Sequence, residues 1–561
     1  MTVNRSTRHG SRTLARLDGS PALRRAAILS ILSVLVWPVQ AALIAWAISD
    51  LIAGEVPAWY AALLFILLSG VRAGLDWRAE AAAQVEASRS IADLRLQLLE
   101  AAVWRSPSGP GEDAAAQAAL MGEKAAMLRP WLEKFLPAMA RARIVPLVIL
   151  GLVASQSWTA ALALAVTGPL IPVFMMLIGY AAQAASRDHL VEAGALNRLL
   201  MDRIAALADL RFLGAVGQAG ADLETRATDL RERVMKVLRL AFLSSTVLEL
   251  MASLGVALVA VQMGVSLLGL VSWGGWGGQI SAFGAIFVLL IVPEFYQPMR
   301  DLAASWHDRA AAMAVMDEAR AALAQEGPRI LGEGAAPPAR CDRPLPLRWQ
   351  GLVISPGQDA AIAVPDGCLL PRTATAVTGP SGIGKTTLLG TLAGLRPALS
   401  GTIRYGDIRL SDATATGLRG AIGWLPQQPR FPAMSLRRWL RLAAPDATDD
   451  TLTEALHRAR AGHVLAALPQ GLGTRLGETG GGVSGGEARR LMIARALLAP
   501  PTLLLADEPT ADLDATSAQE ITGALLALRE LGSALLIATH DARLIGAMDH
   551  VIALRAGREA A

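Results

Sequence analysis

The chain has 561 residues, of which 53% are hydrophobic and 18% are charged, and its mean hydropathy is +0.41. Typical soluble proteins contain about 45–50% apolar and about 25% charged residues, so we expect part of this chain to lie in lipid. The formal net charge is only +4, and the arginines flank apolar segments. This pattern disfavours nucleic acid as a partner and favours the lipid bilayer.

Apolar stretches of membrane-spanning length follow a polar N-terminal tail, residues 1–25. Because a helix needs about 20 apolar residues to cross a bilayer, the pattern predicts six membrane spans. They lie at residues 26–50, 57–75, 141–158, 160–182, 241–270 and 280–298. The first is too long for the apolar region of a signal peptide, so we interpret it as a retained span.

The segments between these spans differ in charge. Residues 50–57, 155–158 and 271–279 contain no lysine or arginine, whereas the intervals 76–140 and 184–239 are rich in arginine. Basic residues concentrate on the cytoplasmic side of membrane proteins. The chain is therefore predicted to be a multi-pass protein with both termini in the cytoplasm.

The two arginine-rich intervals have apolar residues at helical spacing, which predicts that the spans continue as long helices outside the membrane. Each interval has one patch expected to break the helix, at residues 106–111 and 214–220. A short helix at each patch is the expected contact with a cytosolic domain.

The pattern changes after the sixth span. Residues 325–340 resemble a linker, and from residue 341 apolar strand-like runs alternate with helices, which is typical of an α/β domain. The predicted domains are thus a tail at 1–25, a transmembrane domain at 26–324, a linker at 325–340 and an α/β domain at 341–561. The expected fold is a membrane α-helical domain of six transmembrane helices fused to this α/β domain.

A phosphate-binding loop predicts that the α/β domain at 341–561 is a nucleotide-binding domain of the phosphate-loop class. A predicted strand at residues 374–378 runs into Gly-Pro-Ser-Gly-Ile-Gly-Lys-Thr at 379–386, the pattern whose backbone amides surround phosphates at a helix N-terminus. Lys385 should reach the β- and γ-phosphates, and the Thr386 hydroxyl should bind Mg²⁺. The predicted ATP-binding residues of this loop are Gly379, Pro380, Ser381, Gly382, Ile383, Gly384, Lys385, Thr386 and Thr387.

Acidic residues follow a second predicted strand at residues 502–506. Asp507 is expected to hold Mg²⁺ through water, and Glu508 is expected to act as the general base on the attacking water. His540, after a strand at 534–539, is expected to contact the γ-phosphate. The order and spacing of these residues predict a catalytic pair, Glu508 and His540.

The stretch Val483-Ser-Gly-Gly-Glu487 opens a helix and resembles the signature sequence of ATP-binding-cassette (ABC) proteins. The resemblance implies that Ser484, Gly485, Gly486 and Glu487 bind a nucleotide held by a partner subunit, so that ATP lies between two motors. It also implies that Gln427 is the Q-loop glutamine, binding nucleotide and Mg²⁺, and that Asp512 and Asp514 belong to the D-loop. ATP and Mg²⁺ are therefore the expected cofactors.

Two features depart from the family pattern. The signature ends in Glu487 instead of glutamine, which puts rapid hydrolysis at the partner-shared site in doubt. The position near Ser355, where the family places an aromatic side chain against adenine, has none, and Trp349 is an alternative.

Three further stretches, at residues 169–178, 235–249 and 293–301, resemble the CydD family, subunits of the bacterial CydDC exporters. The resemblance implies a type IV half-exporter that forms a heterodimer with a CydC-like subunit in the bacterial inner membrane. It implies export of small thiols, cysteine and glutathione, to the periplasm in support of cytochrome bd and c assembly. The alternatives are a haem or haem-linked exporter and a lipid or multidrug half-transporter.

Charged residues within the predicted spans are candidates for contact with cargo, because a charge in lipid usually faces a cavity or a partner. These candidates are Arg72, Glu249 and Glu294. The alternative is that the two carboxylates pair with Arg141, Arg143 or Arg300 near a membrane face. No histidine falls in a predicted span, which disfavours haem ligation there by a histidine of this chain.

Overall fold

The structure is a computed structural model that describes most of the chain. It covers residues 20–105, 114–171, 173–174, 199–200, 203–204, 206–271, 273–276, 278–325, 329–332, 345–355, 361–477 and 482–555. Several side chains between residues 233 and 245 are not described. The predicted tail up to residue 19, the patch at 106–111, the end of the fourth span and most of the linker lie outside the described residues. The chain divides into two compact units, Met1–Leu99 with Ala114–Gln325 and Glu100–Asp113 with Glu326–Ala561.

The described chain up to residue 324 is helical. Its helices are α1 Pro21–Ile52, α2 Trp59–Val103, α3 Ala114–Ala119, α4 Leu128–Pro130, α5 Leu136–Gln156, α6 Trp158–Ile171, α7 Leu207–Phe212, α8 Val216–Leu267, α9 Ala282–Ala304 and α10 Trp306–Ala324. Two π-helical segments, Leu120–Lys124 and Trp131–Phe135, lie among α3, α4 and α5. Helix α1 begins where local chemistry favours it, because the Ser20 hydroxyl accepts the Ala22 amide and Pro21 occupies the first turn.

Five of the described helical stretches are long and apolar enough to cross a membrane. They are Pro21–Ile52, Trp59–Val103, Ala116–Gln156, Thr246–Leu267 and Ala282–Ala324, and each overlaps one predicted span. The remaining predicted span, 160–182, contains the shorter apolar helix α6, and part of it lies outside the described residues.

Two helices continue far beyond the predicted spans. Helix α2 has 45 residues and α8 has 52, which confirms the expected long extensions. The predicted break at 214–220 is only partly right. Gly214 adopts a φ of 68° between α7 and α8, but α8 begins at Val216 and includes Gly217 and Gly220. A glycine within a helix costs only about 1 kcal/mol, which neighbouring helical residues readily offset.

Helix α9 lies at the centre of the membrane unit, packed against α1, α5 and α8. Its apolar side chains Ile291 and Phe295 are buried among these helices. The buried Tyr296 hydroxyl lies 2.6 Å from Thr167 Oγ1. Gly255 of α8 leaves the space that this hydroxyl occupies, since a Cβ there would collide with it. Small residues of this kind let membrane helices approach closely.

The second unit contains twelve described strands. They are β1 Leu347–Ile354, β2 Ile362–Ala363, β3 Gly367–Leu369, β4 Ala374–Thr378, β5 Ser400–Tyr405, β6 Ile408–Arg409, β7 Ile422–Leu425, β8 Met434–Ser435, β9 Arg475–Leu476, β10 Leu503–Asp507, β11 Ala534–Ala538 and β12 His550–Ala553. Strands β1, β2, β3, β5 and β6 form an antiparallel sheet, and β8 pairs with β9.

The helices of this unit surround its sheets. They are α11 Lys385–Leu392, α12 Ala415–Arg419, α13 Leu436–Arg441, α14 Asp449–Arg458, α15 Gly462–Ala467, α16 Gly485–Leu498, α17 Ala515–Glu530 and α18 Ala542–Gly546.

A parallel sheet in the order β12-β4-β11-β10-β7 forms the middle of the unit. Strands β10 and β11 are buried along their whole length, which explains why both are apolar apart from Asp507 at the end of β10. Because all five strands run in the same direction, their carboxyl ends meet at one edge. The loops after β4, β7, β10 and β11 therefore converge there.

Trp349 is wrong as a candidate for stacking on adenine. Its side chain is only 1% exposed within the antiparallel sheet, and its indole N–H donates to the Pro365 carbonyl at 2.8 Å. The alternation of buried and exposed residues along β1 directs this side chain into the core.

Candidate nucleotide site

The phosphate loop joins β4 to α11 at the convergent edge of the parallel sheet. Gly382 and Gly384 adopt φ values of 79° and 98°, a region that glycine enters without the penalty of a Cβ. The chain can therefore turn directly from the strand into the helix that begins at Lys385. Lys385 Nζ donates to the Gly379 carbonyl at 3.0 Å and lies 3.5 Å from Glu508 Oε1. The backbone amides at the N-terminus of this eight-residue helix are groups that suit the binding of a phosphate.

Thr386 and Asp507 place two oxygen atoms side by side. The Thr386 hydroxyl donates to Asp507 Oδ2 at 2.6 Å, although the two residues are far apart in sequence. Asp507 is 2% exposed, and burial raises the pKa of its carboxyl above the ordinary value. A cation would stabilise this buried carboxylate, and hard oxygen ligands suit Mg²⁺. The donor set therefore fits a magnesium ion.

Gln427 follows β7 at the same edge of the sheet, and its side chain is exposed. Within the described part of the chain, this side chain makes no hydrogen bond with Thr386 or Asp507. Its backbone carbonyl instead accepts a bond from Arg489. The structure thus brings Thr386 and Asp507 into contact and leaves the Gln427 amide free to reach an incoming ligand.

Glu508 lies between two cationic or protonatable groups. Its Oε2 is 2.9 Å from His540 Nδ1, and its Oε1 faces Lys385. Glu508 is 7% exposed, whereas the His540 side chain is 71% exposed. The carboxylate is therefore fixed inside the site, while the imidazole faces outward.

The backbone of Glu508 adopts a φ of 46°, which is unfavourable for any residue with a side chain. Its amide donates to the Ala538 carbonyl of β11 at 2.8 Å. A strained conformation of this kind costs about 1–3 kcal/mol and persists only where neighbouring structure enforces it. Strand β11 therefore orients the carboxylate that chemistry would use.

The signature residues form a reciprocal cap at the start of α16. The Ser484 amide donates to Glu487 Oε2 at 2.7 Å, and the Glu487 amide donates to Ser484 Oγ at 3.4 Å. The bond from the Ser484 amide holds the pKa of the Glu487 carboxyl below its usual value. Glutamate and glutamine can both complete such a cap. The departure at Glu487 therefore keeps the local geometry of the signature and adds a negative charge.

A cavity of about 470 Å³ lies between the signature and the D-loop. Its lining includes residues 484–487, Asp512 and Asp514, together with His463 and two arginines. Leu513 contacts Gly486 so closely that a Cβ on that glycine would stand 2.9 Å from it. The lining includes no residue of the phosphate loop. The structure therefore separates the predicted site residues into two groups on this chain.

Arg489 joins the signature helix to the D-loop and to the Q-loop. Sequence reasoning did not identify it as a site residue. It lies on α16 after the signature, is 6% exposed, and donates to the Ala511 carbonyl at 2.6 Å and to the Gln427 carbonyl at 3.3 Å. Burial lowers the pKa of its guanidinium. Two adjacent arginines just after the signature, followed by an apolar run, were the available signal, since buried arginines need acceptors.

The charged candidates in the membrane unit form separate pairs. Arg72 Nη2 lies 3.8 Å from Glu294 Oε1, and Arg300 Nε lies 3.3 Å from Glu249 Oε2. Arg141 donates to Asp301 at 3.2 Å and to the Ser30 hydroxyl at 3.0 Å. The structure thus brings two of the three cargo candidates together and gives Glu249 the Arg300 partner considered above.

Comparison with known proteins decides the family. The family model described as "ABC transporter" matches residues 366–511, and "ABC transporter transmembrane region" matches residues 25–290. The chain is 34% identical to the glutathione/L-cysteine transport system ATP-binding/permease protein CydD of Escherichia coli (strain K12), over 88% of this chain and 84% of that protein.

The chain belongs to the ABC transporter family.

It is an ABC half-transporter related to CydD, in which a helical membrane domain is fused to an ATPase domain. It is also 30% identical to the glutathione/L-cysteine transport protein CydC of Bacillus subtilis (strain 168), over 84% of this chain and 81% of that protein. A bacterial Atm1-family ABC exporter with ATP bound has the same fold, with a TM-score of 0.74 over 96% of this chain and 95% of that one, at 20% identity. These findings confirm the predicted fold class and an ATP-driven transport ATPase.

Proposed function

We propose that this chain pairs with a CydC-like ABC subunit and exports cysteine and glutathione to the periplasm across a bacterial inner membrane. The observation that carries this proposal is the similarity to CydD proteins, which extends over 88% of the chain. The similarity therefore includes the membrane domain, where cargo binds, as well as the motor. By analogy with the CydD family, the export supports the assembly of cytochromes bd and c.

In this proposal the motor has two half-sites. The loop from Gly379 to Thr387 holds the phosphates of one ATP, with Lys385 as a point charge. Thr386 and Asp507, with Gln427, would hold the magnesium ion, which supplies charge neutralisation at the phosphates. Residues 484–487 with Asp512 and Asp514 complete a second site whose phosphate loop belongs to the partner subunit.

Glu508 carries the hydrolytic step. Its carboxylate, fixed by β11 and paired with His540 at 2.9 Å, accepts a proton from the water that attacks the γ-phosphate. His540 orients the carboxylate and contacts the phosphate from the exposed side. Lys385, whose Nζ lies 3.5 Å from Glu508 Oε1 in the same site, supplies the positive charge that balances the negative charge accumulating on the phosphate.

The test is ATP-dependent uptake of labelled glutathione and cysteine into inside-out vesicles that contain this chain with its partner. We expect uptake in the wild type and none with Glu508→Gln. Intact ATP hydrolysis without thiol uptake, combined with a change in the hydrolysis rate on adding haem, would overturn the thiol proposal and favour the haem alternative.

A further inference from the structure

Two opposite charges face each other inside the membrane unit without forming a hydrogen bond. Arg72 of α2 and Glu294 of α9 are separated by 3.8 Å, and their side chains are 33% and 21% exposed. A charge-assisted N–H···O bond is normally about 2.7–2.9 Å long. Among the described residues, neither the Arg72 guanidinium nor the Glu294 carboxylate makes a hydrogen bond. Each group therefore keeps unused hydrogen-bonding capacity in the half-buried state.

Both charges lie inside predicted spans, 57–75 and 280–298, toward the cytoplasmic end of each span. At the helical rise of 1.5 Å per residue, Arg72 is about 20 Å from the start of α2 and Glu294 about 18 Å from the start of α9. Since a hydrocarbon core is about 30 Å thick, both side chains are expected within it. Charged groups at that depth are costly and mark the routes of ions and polar substrates.

The neighbouring helix holds the arginine in place. Arg72 Cζ lies 5.7 Å from the centre of the Trp37 ring, and the Trp37 indole N–H donates to the Leu290 carbonyl at 3.2 Å. The Ser33 hydroxyl donates to the Arg72 carbonyl at 3.3 Å. These contacts fix both the backbone and the guanidinium without using its hydrogen-bond donors. A fixed group with free donors is the arrangement expected of a preorganised binding site.

Two other arginine–carboxylate pairs include a residue of α9. Of these, Arg141–Asp301 is hydrogen-bonded, whereas Arg300 Nε makes no hydrogen bond among the described residues. Arg141 makes bonds of 3.2 Å to Asp301 and 3.0 Å to Ser30, and Arg300 lies 3.3 Å from Glu249. Glu249 is 59% exposed, in contrast to the 21% of Glu294. The Arg72–Glu294 pair is therefore the half-buried pair with the longest separation among these three.

We propose that Arg72 and Glu294 bind the α-amino-acid zwitterion of the cargo. The Arg72 guanidinium donates two hydrogen bonds to the α-carboxylate, and the Glu294 carboxylate accepts hydrogen bonds from the α-ammonium group. The proposal rests on the proposed function, because cysteine and the γ-glutamyl end of glutathione share this zwitterion. One site can thus serve both thiols. The Glu294 charge repels cargo that carries carboxylates and no ammonium group, such as a haem propionate.

The test uses the full chain with its partner in inside-out vesicles and measures the KM for ATP-dependent uptake of labelled cysteine. Competition with N-acetylcysteine, which lacks the ammonium group, and with cysteamine, which lacks the carboxylate, is measured alongside. The wild type should prefer cysteine over both. Arg72→Gln and Glu294→Gln should each raise KM by about tenfold, because each leaves one cargo charge unpaired in a partly buried site.

The two variants should lose selectivity against different competitors. Glu294→Gln should lose the preference for cysteine over N-acetylcysteine, and Arg72→Gln should lose the preference over cysteamine. Arg300→Gln, which removes another arginine–glutamate pair on the same helix as Glu294, should keep both preferences and the wild-type KM. Unchanged KM and unchanged preferences in Arg72→Gln or Glu294→Gln would overturn the proposal.

If a variant abolishes uptake, stimulation of ATP hydrolysis by the same three compounds gives the same comparison. A wild type that takes up no thiol would overturn the proposed function alone. The zwitterion site would then be judged by whether amino acids stimulate wild-type ATP hydrolysis and Arg72→Gln removes that stimulation. No stimulation of the wild type would overturn the site as well.

Discussion

The nucleotide site and the Arg72–Glu294 pair both join residues far apart in the chain, but they are assembled in different ways. In the ATPase domain, Thr386, Asp507 and His540 each lie at or just beyond the carboxyl end of a strand of one parallel sheet, so the topology alone brings them to one edge. In the membrane domain, Arg72 and Glu294 meet because of how several helices rotate and pack around α9. The first arrangement is fixed by local motifs, and the second depends on tertiary packing.

The largest effect should come from the catalytic carboxylate. Glu508→Gln keeps the shape of the side chain and removes the base, so the ATPase rate should fall by about a hundredfold or more while ATP binding persists. The measurement is steady-state phosphate release by the complex, with nucleotide binding measured separately. Glu530→Gln on α17, whose side chain is 74% exposed, is the matched control and should leave the rate unchanged. A rate within about twofold of the wild type in the Glu508 variant would show that another group acts as the base.

This edge of the sheet could be predicted from the sequence almost completely. Each motif carries its own strand-turn-helix context, so the distance between Thr386 and Asp507 follows from the fold class. The partner of Glu294 could not be predicted in the same way. Sequence suggested Arg141, Arg143 or Arg300, whereas the structure supplies Arg72, because apolar helices give no signal for their rotation about the long axis.

Arg489 could be predicted only in part. It follows the signature motif in sequence, but its contacts with the two loops depend on how the domain packs. Arg489→Met should leave the Ala511 and Gln427 carbonyls without their donor. A hydrogen bond from a charged group contributes about 1.5–3 kcal/mol, and here these bonds hold two loops of the site in place, so we expect kcat for ATP hydrolysis to fall by about tenfold with little change in KM for ATP.

The control for Arg489 is Arg495→Met on the same helix. Arg495 lies 4.7 Å from the centre of the Trp439 ring and bonds neither loop, so its loss should affect stability more than kcat. Equal kcat effects in the two variants would contradict a positioning role for Arg489 and indicate a general loss of helix packing.

A smaller effect is expected where a hydrogen bond joins membrane helices. Tyr296→Phe removes the 2.6 Å contact with Thr167 and keeps the aromatic ring in its buried place. Such bonds between membrane helices contribute about 0.6 kcal/mol on average, so the apparent melting temperature of the detergent-solubilised chain should fall by only a few degrees. Tyr60→Phe changes an exposed tyrosine in the same way and should have no effect. A fall in melting temperature as large as that expected for a core cavity would mean that the Tyr296 hydroxyl stabilises more of the domain than its contact with Thr167.

A similarly small effect, which also fades at low pH, is predicted at the signature, where the sequence departs from its family while the local geometry remains. Glu487→Gln keeps the reciprocal cap with Ser484 and removes a charge near the N-terminus of α16, which should cost about 0.3–1 kcal/mol at pH 7. The pKa of Glu487 is depressed in the folded state by the Ser484 amide. Its contribution is therefore complete above the unfolded pKa and is lost as the pH falls through the folded pKa.

Thermal unfolding of the full chain between pH 7 and about pH 4 measures this difference, because an unperturbed glutamate titrates near 4.3. The gap between the wild type and Glu487→Gln should narrow as the pH approaches the lower end. Glu454→Gln, an exposed glutamate on α14, should show no such pH-dependent gap. A constant gap would mean that Glu487 acts through its shape instead of its charge. In that case the negative charge at the signature would no longer account for any difference between the two ATP sites.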